Sequence, residues 1–368
     1  MSTTDSLRKT PLHAAHVAAS ARMVEFGGWE MPVQYTSILQ EHAAVRTAAG
    51  LFDISHMGEL RVKGPAAARF LNTTLTNNID RLAKGGSQYS LLLNDQGGVV
   101  DDLFVYRLGK EEFLLVVNAA HIEEDYDLLS SLKQGDVEIR NESDETAALA
   151  LQGPASPEIL EQWIMLPFSQ IGHHAIVCWS SDDVVFWIAR TGYTGEEGFE
   201  IICPASRAVD AWNRILELGK PRGLVPCGLG ARDTLRMEVC YPLNGHELRP
   251  DITPLEAGLS FFVDFAKAGF HGKTALLAQK AAGVPRKVVA LVAKAAGPPP
   301  RAGYSVFREG KRVGALTSGG LSPSLQIGIG LALIETPHAA IGNSVDIEIR
   351  GKYFAAEIVK KPIYHKSS

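Results

Sequence analysis

QYSLLLNDQGGVVDDLFVYRLGKEEFLLVVN, residues 88–118, reads as three apolar runs separated by two turns. Asn94-Asp95-Gln96-Gly97-Gly98 supplies the first turn, and the short connections predict an antiparallel strand-turn-strand meander. Asp101 and Asp102 interrupt the middle run. Successive side chains of a strand point to opposite faces, so one of the two carboxylates shares a face with buried apolar residues. A carboxylate there is either held by a structural partner or kept for a ligand. Both readings stand at this point.

Working outward, helical patterns alternate with antiparallel-looking strands, without a strand-helix-strand rhythm. Ser37 followed by Gln40 reads as a capping box that opens a helix closed by Gly50. Gly64-Pro65 predicts a second helix with Pro65 at its first position. Further helices are expected over 121–132, over 205–218 with Gly219 as the stop, and over 273–282 ending at Gly283. Strands are expected over 184–189 and 199–202. After Gly283 the helical period disappears and short strands recur: VVALVA, YSVFREGKRVGALTS, IGIGLALI and SVDIEIRGKYFAAEIV. Glu309-Gly310-Lys311 and Arg350-Gly351-Lys352 read as hairpin turns, and residues 296–300, AGPPP, as a stiff loop. The fold class is therefore α+β, with a C-terminal all-β sandwich or barrel.

The chain has 368 residues, 46% hydrophobic and 21% charged, with a net charge of -5. That length allows two or three domains. The negative balance argues against a nucleic-acid partner. No apolar stretch reaches the length of a membrane span. The opening MSTTDSLRKT lacks an apolar signal core, and its first several residues read as a disordered tail. The four cysteines, Cys178, Cys203, Cys227 and Cys240, form no C-x-x-C pair, and Cys203 reads as a small core residue. His173-His174 has no carboxylate or cysteine at ligand spacing. No metal is expected, and a reducing cytoplasm is the simplest compartment.

Two further stretches carry chemistry. In residues 190–201, RTGYTGEEGFEI, glycines make a tight connection between apolar strands, and Gly192 and Gly195 could admit a flat ligand close to the backbone. Glu200 faces away from Phe199 and Ile201, either as an exposed carboxylate or as an acceptor for a pair of donors on a heterocycle. In residues 226–238, PCGLGARDTLRME, Arg232 falls in the first turn of a helix, where a cation opposes the macrodipole. A ligand role or a salt bridge with Glu200 or Asp233 would explain it. The pattern is neither a dinucleotide fingerprint nor a phosphate loop.

Residues 26–35, FGGWEMPVQY, and 45–57, VRTAAGLFDISHM, together resemble the folate-dependent aminomethyltransferases, with the T proteins of the glycine cleavage system most similar. GGVVDDL, LVVN, LALQGP, TGYTGEEGFE, GLGARDTLRME and SPSL continue the resemblance in order along nearly the whole chain. It implies a three-domain, cloverleaf-like α+β fold around a central channel for tetrahydrofolate. The implied division is 1–55 with 140–246, 56–139 with 247–278, and a barrel-like 279–368. The implied reaction moves the methylene of an aminomethyl group from the lipoyl arm of an H protein to tetrahydrofolate, giving methylenetetrahydrofolate, ammonia and the reduced carrier.

By match to these blocks, Asp101 is the implied catalytic carboxylate, and Glu200 and Arg232 the implied folate contacts. Tyr364, Met57, Tyr89, Asn118, Tyr193 and Phe261 join them as implied folate or channel residues. Phe261 departs from the family's frequent Trp after PLEAGLS and lacks the indole donor. A folate-dependent demethylase of a small amine or sulfonium compound would look alike in its folate residues. A folate-binding iron–sulfur assembly factor would carry K-G-C-x-x-G-Q-E, where this chain has KAGFHGK at 267–273. Arg350, Lys352, Lys360, Lys361 and Lys366 form a basic run, read as a solvated face or a dock for an acidic carrier.

Overall fold

The computed structural model describes residues 7–366, so the first six residues of the expected tail lie outside the described residues. The chain folds into two compact units. One takes the residues up to Phe70 together with Asp80–Gln88 and Leu103–Asp233; the other takes Leu71–Ile79, Tyr89–Asp102 and the chain from Thr234 onward.

The first unit is built on a six-stranded sheet. Its order is Ile176–Ser181, Val184–Ala189, Gly198–Pro204, Thr146–Gln152, Ala49–Asp53, Leu224–Cys227. Neighbours run antiparallel except the last pair, which is parallel, with Leu224 beside Ala49 and Cys227 beside Phe52. The inward residues Leu51, Leu149, Leu151, Phe199 and Ile201 pack on Ile159 and Leu160 of the helix Ser156–Ile164 and on Trp212 and Ile215 of the helix Ala208–Gly219. Each large apolar side chain buried this way contributes roughly 1.5–3 kcal/mol. The helix Ile38–Thr47 is capped at Ser37, whose hydroxyl accepts from the Gln40 N–H at 3.3 Å.

Two expected helix ends are corrected. Gly50 does not close the helix, which ends at Thr47; Gly50 lies in the strand Ala49–Asp53. A Cβ there would sit 2.5 Å from Val45 Cγ2 and 2.6 Å from Cys227 Sγ, so this glycine permits close packing and is not a C-cap. Pro65 is not the first helical residue either, because the helix begins at Ala67.

The meander forms as expected, from Ser87–Leu93, Val99–Arg107 and Glu112–Val117. Asn94 organises its first turn: Oδ1 accepts from the N–H groups of Gln96 at 3.0 Å and Gly98 at 2.9 Å, a side-chain imitation of a backbone turn. In the first unit Glu112–Val117 pairs with Gly58–Lys63, which also pairs with Glu138–Asn141.

In the second unit, residues 286–359 close into a six-stranded barrel rather than a sandwich. The order is Arg286–Ala293, Ile327–Glu335, Lys311–Ser322, Ser305–Arg308, Ser344–Ile349, Lys352–Val359, and the last strand returns to the first. Its interior holds Leu291, Val306, Ile334, Ile347 and Ile358. Both central residues of the turns Glu309-Gly310 and Arg350-Gly351 have positive φ, the signature of tight hairpin turns. Leu91, Leu93 and Val99 form a second core with Leu248, Ile252, Leu276 and Val288. The helix Lys273–Ala282 has the bounds its sequence pattern predicts. Among the described residues, no helix is long and apolar enough to cross a membrane.

Candidate functional site

Asp101 is fully buried and Asp102 half-buried, the alternation expected of a strand. The side-chain amide of Asn244 donates to Asp101 Oδ1 at 2.7 Å and to the Val100 carbonyl at 3.0 Å. On the other face, Tyr89 donates its hydroxyl to Asp102 Oδ2 at 2.8 Å and meets Phe262 edge-on, with ring centroids 4.8 Å apart. Phe261, next in the chain, is 90% exposed. Tyr364 lies at the C-terminal end of the same unit, where its N–H donates to the Glu238 carbonyl at 2.9 Å. The Glu238 carboxylate is buried and accepts from Ser322 Oγ at 2.5 Å and from Ser324 N at 3.0 Å and Oγ at 2.9 Å. The SPSL block is thus held to the end of the GLGARDTLRME block by a structural carboxylate.

In the first unit, Glu200 stands half-buried between the fully buried Phe199 and Ile201. Thr191 Oγ1 donates to Glu200 Oε2 at 2.6 Å, and the Tyr106 hydroxyl lies 3.3 Å from the same oxygen and 3.2 Å from Thr191 Oγ1. Burial, reinforced by the Glu200 carboxylate, pushes the Tyr106 phenol well above its ordinary range. It therefore stays protonated and acts as a donor. Both hydroxyls converge on Oε2; among the described residues none donates to Oε1.

Gly192 does not open space for a flat ligand as expected. The Gln152 side chain fills that space, and a Cβ on Gly192 would meet its Oε1 at 2.1 Å. Gln152 receives the Thr194 hydroxyl at 2.9 Å and donates to the Thr191 carbonyl at 3.2 Å. It sets the loop that carries Thr191 and Tyr193.

Arg232 is the fourth residue of the helix Leu229–Glu238, and its guanidinium stacks on Tyr193, 4.6 Å from the ring centroid. This contact is a cation–π pair. The turn before that helix is fixed by Glu41, a buried carboxylate that the sequence reading missed. It accepts from the N–H groups of Tyr35 at 2.7 Å, Thr36 at 2.9 Å and Gly228 at 2.8 Å. His56 is buried, and burial, then the Arg232 cation, holds its imidazole down to about 4 against the pull of Asp53. It is neutral near pH 7, and its Nδ1 has no partner among the described residues. Met57 follows it, half-buried, in a turn closed by its N–H to the Ile54 carbonyl at 3.0 Å. Asn118 stands just before the short helix Ala119–His121, where its backbone carbonyl accepts from the His121 N–H at 3.0 Å.

Lys361 departs from the basic surface run expected of it. Burial holds its ammonium below the ordinary lysine range, while Cys240 and Glu247 pull the other way; Lys360 beside it is exposed. All four cysteines are free thiols, and Cys203 is a buried core residue as expected. Among the described residues no group of three or more His, Cys, Asp or Glu side chains is placed to hold a metal ion.

The GCVT N-terminal domain model matches residues 12–267, and the glycine cleavage T-protein C-terminal barrel domain model matches residues 286–365. The chain is 48% identical over 360 residues to an aminomethyltransferase of Desulforamulus reducens, covering 98% of this chain and 99% of that one. It is 46% identical over 368 residues to an aminomethyltransferase of Bacillus cereus, with 98% and 99% covered. The crystal structure of glycine cleavage system aminomethyltransferase T from Bartonella henselae superposes with a TM-score of 0.92 at 35% identity, over 98% of this chain and 99% of that one. The chain belongs to the glycine cleavage T-protein family. Within that class it is an enzyme, an aminomethyltransferase.

Proposed function

We propose that this enzyme transfers the methylene of an aminomethyl group, carried on the lipoyl arm of an H protein, to tetrahydrofolate. Ammonia and the dihydrolipoyl carrier leave. Identity to aminomethyltransferases over 98% of the chain supports the substrate pair most directly. Glu200 is the proposed acceptor for adjacent pterin N–H donors, because Oε2 is held by two hydroxyls and Oε1 is left to a ligand. Arg232, stiffened on Tyr193, is the proposed donor to ring acceptors or to an acid group. Asp101 is the proposed catalytic carboxylate, orienting the folate nitrogen nucleophile and balancing the iminium-like cation as ammonia departs. Met57, Tyr89, Asn118, Phe261 and Tyr364 complete the proposed folate contacts. The four free thiols support a reducing, cytoplasmic setting.

Turnover of a purified aminomethyl-loaded carrier, followed by ammonia release with and without tetrahydrofolate, tests the reading. Release is expected to accelerate sharply with tetrahydrofolate, with methylenetetrahydrofolate formed in equal amount. A release rate indifferent to tetrahydrofolate would dismiss it.

A further inference from the structure

Asn244 reaches Asp101 from a loop that the second unit holds down at several points. Glu247, 1% exposed, accepts from Arg236 Nη1 at 3.1 Å and from the Leu243 N–H at 3.1 Å through Oε2, and from Thr317 Oγ1 at 2.5 Å through Oε1. The neighbouring His246 donates Nδ1–H to the Thr317 carbonyl at 2.8 Å. Further along, the Val99 N–H sits 3.1 Å from the Arg249 carbonyl and 3.0 Å from the Ile252 carbonyl. Gly98 has no side chain because a Cβ there would lie 1.9 Å from the Pro250 carbonyl oxygen. The loop is therefore seated on the strand two residues before Asp101.

The amide of Asn244 has one possible orientation at this seat. Nδ2 lies 2.7 Å from Asp101 Oδ1 and 3.0 Å from the Val100 carbonyl, and both are acceptors. Turning the amide over would place its oxygen against two other oxygens, which costs both bonds and adds repulsion. Both amide hydrogens are thus committed, one to the backbone and one to the carboxylate.

We infer that Asn244 is a positioning residue for Asp101, fixing the rotation of its carboxylate during turnover. The inference rests on the proposed catalytic role of Asp101. A donor tied to backbone on one side and to Oδ1 on the other spares the carboxylate from reorienting as the cation forms, which is the preorganisation that electrostatic catalysis needs.

The test compares full-length Asn244→Ala, Asn244→Asp and Asp101→Asn with the unaltered enzyme, in the carrier assay with tetrahydrofolate. Asn244→Ala is expected to lower kcat about ten-fold, the worth of one hydrogen bond to a charged group. The KM values for carrier and tetrahydrofolate should stay within about two-fold, as for an interaction expressed in the transition state. Asn244→Asp keeps the side-chain volume but sets two carboxylates together. They share a proton as pH falls, and the protonated one becomes a donor again. The kcat of Asn244→Asp relative to the unaltered enzyme should therefore rise as pH is lowered, which a merely structural role would not produce. If Asn244→Ala does not fold, that ratio decides. Unaltered kcat in folded Asn244→Ala, or a ratio flat with pH, overturns the inference when Asp101→Asn is impaired. Unaltered turnover in Asp101→Asn instead removes the catalytic reading of Asp101, and the inference with it.

Discussion

Asp101 and Asp102 are adjacent in sequence but have different partners: a side-chain amide for one and a tyrosine hydroxyl for the other. Asp101→Asn keeps the shape and removes the charge. Turnover should fall roughly ten-fold or more, since a charge-assisted interaction is worth about 1.5–3 kcal/mol. Asp102→Asn should change turnover much less, because its carboxylate is engaged by Tyr89 on the other face. Equal loss in both would refute the assignment, as would no loss in either. Glu59 presents a different case. It is buried, neither carboxylate oxygen has a partner among the described residues, and burial, then Glu142, raises it well above the ordinary carboxylate range. The unfolded chain ionises first, near the usual glutamate value of about 4.3. The folded state therefore loses stability as pH rises from there toward the folded-state value. Glu59→Gln cannot ionise and should gain stability relative to the unaltered protein across that window. Denaturant unfolding at a series of pH values reads the difference; a gap constant with pH would count against a protonated Glu59.

The elements that local punctuation defines were legible from sequence. Lys273–Ala282 and Val184–Ala189 need only their periodicity and flanking turns, and the hairpins at Gly310 and Gly351 need only positive φ. What stayed hidden depends on partners distant in sequence. Asn244 lies 143 residues from Asp101, and Gln152 lies 39 from the carbonyl it holds, so nothing near either residue announces its role. The packing role of Gly50 is hidden for the same reason: its neighbour Cys227 is close only in the folded sheet. Within the candidate site, strand alternation sets the facing of Glu200 and the opposed facing of Asp101 and Asp102, but neither which of the two aspartates is buried nor the hydroxyls of Thr191 and Tyr106 can be read locally. The glycines before Asp101 belong to this element-scale logic. Gly98→Ala would drive a methyl group into the Pro250 carbonyl, and overpacking of this kind costs about 1–3 kcal/mol. The expected result is a lower denaturation midpoint together with reduced kcat, because the loop bearing Asn244 is displaced. Unchanged stability in Gly98→Ala would show that the loop yields freely.

At the scale of the whole molecule, one fold is shared almost end to end with glycine cleavage T proteins, at a TM-score of 0.92 over 98% of the chain. Binding should therefore register on stability as a whole. A ligand that binds only the folded chain adds RT ln(1 + [L]/Kd), about 2.7 kcal/mol at a hundred-fold excess over Kd. Glu200→Gln keeps an oxygen for the Thr191 and Tyr106 hydroxyls, so the fold should hold, but it removes the charge that makes the proposed pterin contacts strong. A ten-fold weaker affinity leaves about 1.4 kcal/mol at the same tetrahydrofolate concentration. Thermal denaturation should thus show a clear upward shift with tetrahydrofolate in the unaltered enzyme and about half that shift in Glu200→Gln, with Arg232→Ala behaving alike. Glu59→Gln, which alters a buried carboxyl with no proposed folate contact, should keep the full shift. Separating affinity from stability in this way isolates the ligand role of Glu200 and Arg232. Equal shifts in all four proteins would mean that neither residue contacts the folate.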